Sequence, residues 1–337
     1  MSFKTFLVGY GDSQGNGRGL YSVEVNNDSI QAKLAYPCEM KPGAIIATEN
    51  RLYMSYLGDN KEPGILLFSL DEELNLTFLN KQTIPFFLTS FGRIHHSNHL
   101  LGSSFYDGVD VIFEAADNIH IKSVDKHPYR PRSADIRQAE THPHHICALS
   151  DGLHAYSVDM GTDFVSFYSI RNNGLHLLKD AFIDCPLGSG PRIMRISPDN
   201  RLAYLLHEIS NSVAVYALHD VGFDEIQRIS TLDDNTVITN SAAGCAMTAD
   251  GEYLLVTNRG ENTLVLFRAN PENGLLTLCD RIQTGLIPRD LYIRDHQIIV
   301  AAQASDCLQL FEIDTRQHRL KLLSEVTGVY APVGFLN

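Results

Sequence analysis

Gly190-Pro191-Arg192-Ile193-Met194-Arg195-Ile196-Ser197-Pro198-Asp199-Asn200-Arg201-Leu202-Ala203-Tyr204-Leu205-Leu206-His207-Glu208, continued by residues 212–218, is the stretch from which the fold is read. It holds three short β-type runs, at residues 193–196, 202–208 and 212–218, separated by turn residues. Apolar and polar positions partly alternate along each run, as in antiparallel strands. The turn Ser197-Pro198-Asp199-Asn200 joins the first two runs tightly, so they run in opposite directions. Residues just before the first run and those ending the second therefore share one edge, which carries Arg192, His207 and Glu208.

The same unit recurs along the chain. Downstream it reads 245–247, a turn at 248–251, then 253–259 and 263–267; after Pro288-Arg289 it reads 291–293, a turn at Arg294-Asp295-His296, then 298–303 and 307–313. Upstream, His142-Pro143-His144-His145 leads into 146–149, the turn Ser150-Asp151-Gly152, then 154–159 and 164–170. Fainter copies start at Lys41-Pro42-Gly43 and near Ser90-Phe91-Gly92. The period is about 45 to 54 residues, at and just beyond that of four-stranded propeller blades. Residues 5–10, 19–25 and 30–36 supply three strands of a unit with no first strand, and residues 331–336 read as a first strand with no second. Joining them completes a seventh unit and leaves no long sheet edge open. The expectation is an all-β fold over residues 1–337: one seven-bladed β-propeller of four-stranded antiparallel blades, closed by pairing residues 331–336 with residues 5–10. Residues 130–137, rich in charge and proline, read as a loop between blades. The absence of Trp argues against a WD40-type repeat.

A formal charge of −13 speaks against nucleic acid or an anionic membrane as partner, since both select basic surfaces. Met1-Ser2-Phe3-Lys4-Thr5-Phe6-Leu7 turns polar too soon for a signal peptide, and no apolar run approaches membrane-spanning length. The six cysteines are isolated, with Cys147, Cys245 and Cys307 inside expected strands. A reduced, cytoplasmic protein is expected.

The strand argument collects side chains on one face. Arg137, Gln138, the 142–145 histidines, Arg192 and Arg289 precede first strands; Asp159, His207, Glu208, Arg259 and Gln303 end second strands. Small-molecule sites in propellers favour such a channel mouth. Arg192 either contacts a ligand or pairs with Glu208. Neighbouring strand residues point to opposite sides, so at most His142 and His144 share a direction, and no ligand spacing accompanies them. Neither a metal nor a cofactor is expected. Asp151, Asp199 and Asp250 fall in turns and are structural; Asp159 belongs either to a turn or to the site.

These motifs resemble a known family. Arg137-Gln138 with His142-Pro143-His144, Asp159-Met160-Gly161-Thr162-Asp163, Gly188-Ser189-Gly190-Pro191-Arg192, Glu208, Ser241-Ala242-Ala243, Asn258-Arg259-Gly260 and Ala301-Ala302-Gln303 are similar to the lactonase-family propeller. That family includes propeller-type bacterial 6-phosphogluconolactonases and fungal carboxy-cis,cis-muconate cyclases. The likeness is concentrated in residues 137–313; earlier, Gly9-Tyr10 and Phe105-Tyr106-Asp107-Gly108 echo it. It implies catalytic or binding roles for His144, Arg192, Glu208 and Arg259. Around them Arg137, Gln138, His142, Asp159, Arg289 and Gln303 are expected to touch substrate. Opening a sugar lactone needs a base for water and a donor for the oxyanion: His144 or Glu208 for the first, Arg192 and Arg259 for the second. No serine nucleophile is expected. The substrate class is a small anionic sugar lactone or organic acid. A lactonising cyclase and a non-catalytic interaction platform are the alternatives.

Overall fold

Turn chemistry cuts the chain into short strands. In the computed structural model, which describes residues 2–128, 133, 135–172, 174–219 and 222–336, helix among these residues is confined to two three-residue 3₁₀ turns. The first blade has β1 (Ser2–Gly9), β2 (Gly19–Asn26) and β3 (Ser29–Pro37). The second has β4 (Lys41–Ala47), β5 (Arg51–Leu57), β6 (Pro63–Leu70) and β7 (Leu76–Thr83); the third has β8 (Ser90–Arg93), β9 (His99–Ser104), β10 (Val109–Glu114) and β11 (His120–Lys126). The fourth has β12 (Pro143–Ala148), β13 (His154–Asp159), β14 (Phe164–Arg171) and β15 (Gly174–Asp184). The fifth has β16 (Pro191–Ile196), β17 (Leu202–His207), β18 (Ser212–His219) and β19 (Gly222–Ser230); the sixth has β20 (Ser241–Met247), β21 (Tyr253–Arg259), β22 (Thr263–Ala269) and β23 (Leu276–Gln283). The seventh has β24 (Pro288–Arg294), β25 (Gln297–Ala302), β26 (Cys307–Asp314) and β27 (Arg319–Thr327), and β28 (Pro332–Phe335) returns to complete the first.

Each of the seven sheets is a four-stranded meander, and the expected all-β, seven-bladed class is met. So is the closure: β28 lies antiparallel to β1, pairing Leu7 with Phe335, Val8 with Gly334 and Gly9 with Pro332. Asp199 and Asp250 occupy the expected turns, where their carboxylates accept from Ser197 Oγ (2.6 Å) and Thr248 Oγ1 (2.6 Å) and from backbone N–H groups two residues on. Inner strands begin earlier than the sequence suggests because Pro143, Pro191 and Pro288 open them; a proline fits the first position of a strand, where its missing N–H breaks no ladder. Of the 130–137 stretch, residues 130–132 and 134 lie outside the described residues. Ile136–Gln138 is a 3₁₀ turn whose cap, Asp135, accepts from the Arg137 N–H at 2.9 Å.

The third strand of every blade carries a buried aromatic side chain: Phe68, Phe113, Tyr168, Tyr216, Phe267 and Phe311 each face the second residue of the neighbouring second strand, whereas Tyr21 faces Leu7 near the end of β1. Beside each, the outermost strand slips in register. Such bulges raise local twist.

Contacts divide the chain into two compact units, one of residues 1–38 and 193–335, the other built from residues 39–192. In the first, facing blades bury Tyr204, Leu206, Val256 and Phe267 together, then Leu255, Leu266, Ile298 and Phe311, then Leu7, Tyr21, Ile299 and Leu310. In the second, Tyr53, Leu67, Leu100 and Phe113 form one core, and Leu101, Ile112, Ile146 and Tyr168 another. All six cysteines are free thiols, four of them buried.

Candidate active site

The inner strands share a local defect. In β4, β12, β20 and β24 the ladder to the next strand slips by one residue just inside the strand's start. In β12 the extra residue is His144, and in β24 it is Arg289. A bulge turns its extra side chain away from strict alternation, and such bulges are over-represented beside active sites.

Within the 39–192 unit, the histidines at the entry to β12 pack on Phe105. The His142 ring stacks on it at 4.1 Å and 6° between planes, and His144 meets it edge-on at 5.8 Å. His142 Nδ1 donates to the Phe105 carbonyl at 2.9 Å. The His142 and Gly161 backbone N–H groups both donate to Asp159 Oδ1, at 2.8 and 2.9 Å. Asp159 Oδ2 faces His127 Nδ1 at 3.1 Å, and His127 Nε2 faces Asp110 Oδ2 at 2.6 Å. Ser103 Oγ donates to Asp110 Oδ1. Burial alone pushes His127 toward neutrality, but Asp110 and Asp159 outweigh it and hold its pKa at about 10. Burial likewise raises Asp110, and the His127 cation more than reverses this. His127 is thus a buried cation between two carboxylates. Gly161 is needed in this motif because a Cβ there would sit 1.9 Å from the Glu140 carbonyl oxygen.

Two expected substrate contacts are engaged within the protein. Asp159 is 1% exposed, with both oxygens engaged as described, at the edge of a cleft that it lines with His127 and Thr162. Gln138 is fully buried; its amide donates to the Met160 carbonyl (2.8 Å) and Asp163 (2.7 Å), and its oxygen accepts from Ser133 Oγ. Arg137 is half-buried and forked onto Asp135, at 3.0 and 2.7 Å. Asp163 also receives the N–H groups of Gly188 and Gly190, each at 2.7 Å, and Ser189 Oγ at 3.2 Å. Both glycines have positive φ, 76° and 61°, which lets their N–H groups turn toward one carboxylate while that of Ser189 donates to the Pro186 carbonyl. This is the physical content of the Gly188-Ser189-Gly190-Pro191-Arg192 motif: it fixes the entry to β16, where Arg192 is 7% exposed.

In the other unit, Glu208 follows β17 directly and Arg259 ends β21. Arg259 Nη2 lies 2.8 Å from Glu208 Oε1, with both side chains largely buried. Arg259 also donates from Nε to the Ser241 carbonyl (3.3 Å) and from Nη2 to that of Ala242 (3.4 Å), while the Ala242 N–H donates to the Glu208 carbonyl. Arg259 lines a cleft of about 410 Å³ with Ser241, Gly260, Asn262, Leu286, Ile287 and Ala304. Ile287 has φ of 53°, a strained conformation for a β-branched residue, held by hydrogen bonds from its N–H to Asn262 Oδ1 (2.9 Å) and from the Gln303 N–H to its carbonyl (3.0 Å). Gln303 therefore opens a 3₁₀ turn, Gln303–Ser305, rather than ending a strand. Burial, reinforced by Arg228, lowers the pKa of His207 to about 3, so this residue is a neutral part of the interior.

Sequence reasoning passed over His127, Asp110 and Asp163; Asp163 had a signal, its place in the Asp159–Asp163 motif. It also passed over Gly11-Asp12-Ser13-Gln14-Gly15, which carries the letters of a serine-nucleophile elbow. That segment is the β1–β2 connection, where Asp12 Oδ1 accepts from the Gln14 and Asn16 N–H groups, and no helix follows it. An elbow needs strand, turn and helix, so the match is one of letters. Among the described residues no helix is long and apolar enough to cross a membrane.

Comparison with known proteins agrees with this framework. A family profile described as "Lactonase, 7-bladed beta-propeller" matches residues 5–336. The chain is 25% identical to a 6-phosphogluconolactonase of Bacillus subtilis, covering 98% of this chain and 97% of that one. Among solved structures, a Lactobacillus plantarum protein superposes with a TM-score of 0.90 at 22% identity over all of both chains. A periplasmic gluconolactonase of Pseudomonas aeruginosa gives 0.88 at 23% identity, over 99% of this chain and 98% of that one. These two share the fold. With the profile spanning nearly every residue, the chain belongs to the lactonase family of seven-bladed β-propellers.

Proposed function

We propose that this protein hydrolyses a sugar lactone, phosphorylated or not. The observation that carries the reading is Arg259, held by the buried Glu208 carboxylate, on the wall of a cleft large enough for such a ligand. Hydrolysis adds water to the lactone carbonyl, passes through a tetrahedral oxyanion, and breaks the bond to the ring oxygen to give a hydroxy acid. Arg259, oriented by Glu208 and two backbone carbonyls, presents a planar cation suited to a carbonyl oxygen or a phosphate. Glu208, in the same unit as Arg259, would serve as the base for water. Arg289, in the same unit, would take an anionic group of the substrate. Six free thiols and the named relative's activity support a cytoplasmic enzyme of sugar-acid metabolism.

The test is hydrolysis of 6-phosphogluconolactone and of gluconolactone by purified protein, with Arg259→Ala and Glu208→Gln alongside. One lactone should be opened faster than it opens in buffer. Arg259→Ala should lower kcat about a hundredfold or more, the loss typical of one oxyanion donor. Inertness of the wild type toward both lactones, or full activity in Arg259→Ala, would overturn the reading.

A further inference from the structure

In six blades the outermost strand slips by a single residue: Ala35, Leu79, Lys122, Ile226, Cys279 or Leu323. The fourth blade departs from this. Ser166 pairs with Phe182 and Tyr168 with Leu177, so residues 178–181 of β15 stand opposite Phe167 alone. The strand is 11 residues long as a result. Beside the displaced backbone lies a cleft of about 350 Å³. Its walls include Phe164 and Phe182, stacked at 4.9 Å, together with Leu177 and Leu178. Phe182 and Leu177 are 44% and 43% exposed, so both present apolar surface to the cleft.

The floor is polar and one-sided. The Tyr168 hydroxyl lies 2.9 Å from Asp125 Oδ2 and 3.1 Å from Asp110 Oδ2, and has one proton to give. Both ring nitrogens of His127 face carboxylates, Asp110 and Asp159. These donors are therefore already committed, whereas Asp125 is half-buried and its second oxygen accepts no side-chain hydrogen bond from the described residues. A carboxylate acceptor below aromatic walls suits a positive charge with an apolar body: the oxygen takes its N–H donors and the ring faces attract it. Lys179, exposed on the extra residues, is a basic side chain among the described lining residues and would compete with such a ligand.

We propose that this cleft binds a small organic cation, its ammonium group on Asp125 and its apolar body against Phe164, Phe182 and Leu177. The volume falls within the range of small-molecule sites. The site is separate in chemistry from lactone opening and stands whether or not that activity is found.

Calorimetric titration of the intact protein with 2-phenylethylamine tests it, with phenylacetate as the aryl anion. The amine should bind saturably and phenylacetate should not. Asp125→Asn and Phe182→Ala should each weaken the amine about tenfold or more, as expected for losing one charge-assisted or aromatic contact. Lys179→Ala should tighten it. Equal binding of phenylacetate, no saturable binding of the amine, or unchanged affinity in Asp125→Asn would overturn the proposal. Should Asp125→Asn disturb Tyr168 and melt early, the exposed Phe182→Ala decides: unaltered affinity there refutes the site.

Discussion

Replacing His127 by Gln removes the one cation between two buried carboxylates, and its cost can be worked from the folded state. His127 has a folded pKa of about 10 against an ordinary value of 6.5. Below pH 6.5 both the folded and the unfolded chain carry the proton; from there to about pH 10 the folded chain alone retains it. The stabilisation is therefore complete below pH 6.5 and is lost as pH rises through 10. At pH 7 three units of the gap remain, or about 4 kcal/mol at 1.36 kcal/mol per unit. That matches the ~3–5 kcal/mol typical of stripping one partner from a buried ion pair. For a chain of 337 residues, with an unfolding entropy of roughly 0.7 kcal/mol/K, the melting temperature should fall by about 6 °C. Circular dichroism melts of wild type and His127→Gln at steps from pH 6.5 to 10 measure this. The gap should be widest near neutrality and close toward pH 10. A gap under ~1 °C at pH 7, or one that does not narrow with pH, would refute the reasoning.

Removing residues 332 onward should lower the melting temperature of the protein, since β1 would lose its inner partner and the Phe335 contact with the Leu7 core; an unchanged melt would contradict the closure. Asp163→Ala takes away the acceptor for Gly188, Gly190 and Gln138 and should cost about 3 kcal/mol or more; a melting temperature equal to that of the wild type would count against it. His207 has a folded pKa near 3, depressed below 6.5, so below pH 6.5 the unfolded chain binds a proton that the folded chain refuses. Stability should fall by up to ~1.4 kcal/mol per unit from pH 6.5 toward 3, and His207→Gln should flatten that slope; parallel acid profiles would exclude the effect.

The blades were legible because the first-to-second strand connections of the fourth to seventh carry Asp between runs of β-type residues; those of the second and third, Thr48-Glu49-Asn50 and residues 94–98, carry no Asp, Gly or Pro, and there the repeat is faint. Closure was legible because one end lacks a strand that the other supplies. The bulges were not, since a slip depends on which residues pair across strands, and the prolines that precede His144 and Arg289 read as breakers. The Asp110–His127–Asp159 cluster was hidden for a related reason. It joins residues from the ends of separate strands, 17 and 32 positions from His127, and no periodicity in the chain connects them. Gln138 was taken for a surface group because it precedes an inner strand, whereas the local 3₁₀ turn points it inward. The aromatic ring in each third strand was present in the sequence, but as a mixture of Tyr and Phe at unequal spacing it drew no notice.

The pairing of Leu7 with Phe335 also sets an order of events during synthesis. β1 emerges from the ribosome before the other strands described, yet it lacks its inner partner until more than three hundred further residues have been made. At about 5–20 residues per second, the edge of β1 waits for tens of seconds. That edge, Thr5-Phe6-Leu7-Val8-Gly9, is uncharged and apolar, the kind of segment that pairs with strangers. A permuted chain in which Pro332–Phe335 precedes Ser2 would supply the missing strand at the outset, and nascent chains of this protein would then spend little time with an open flank.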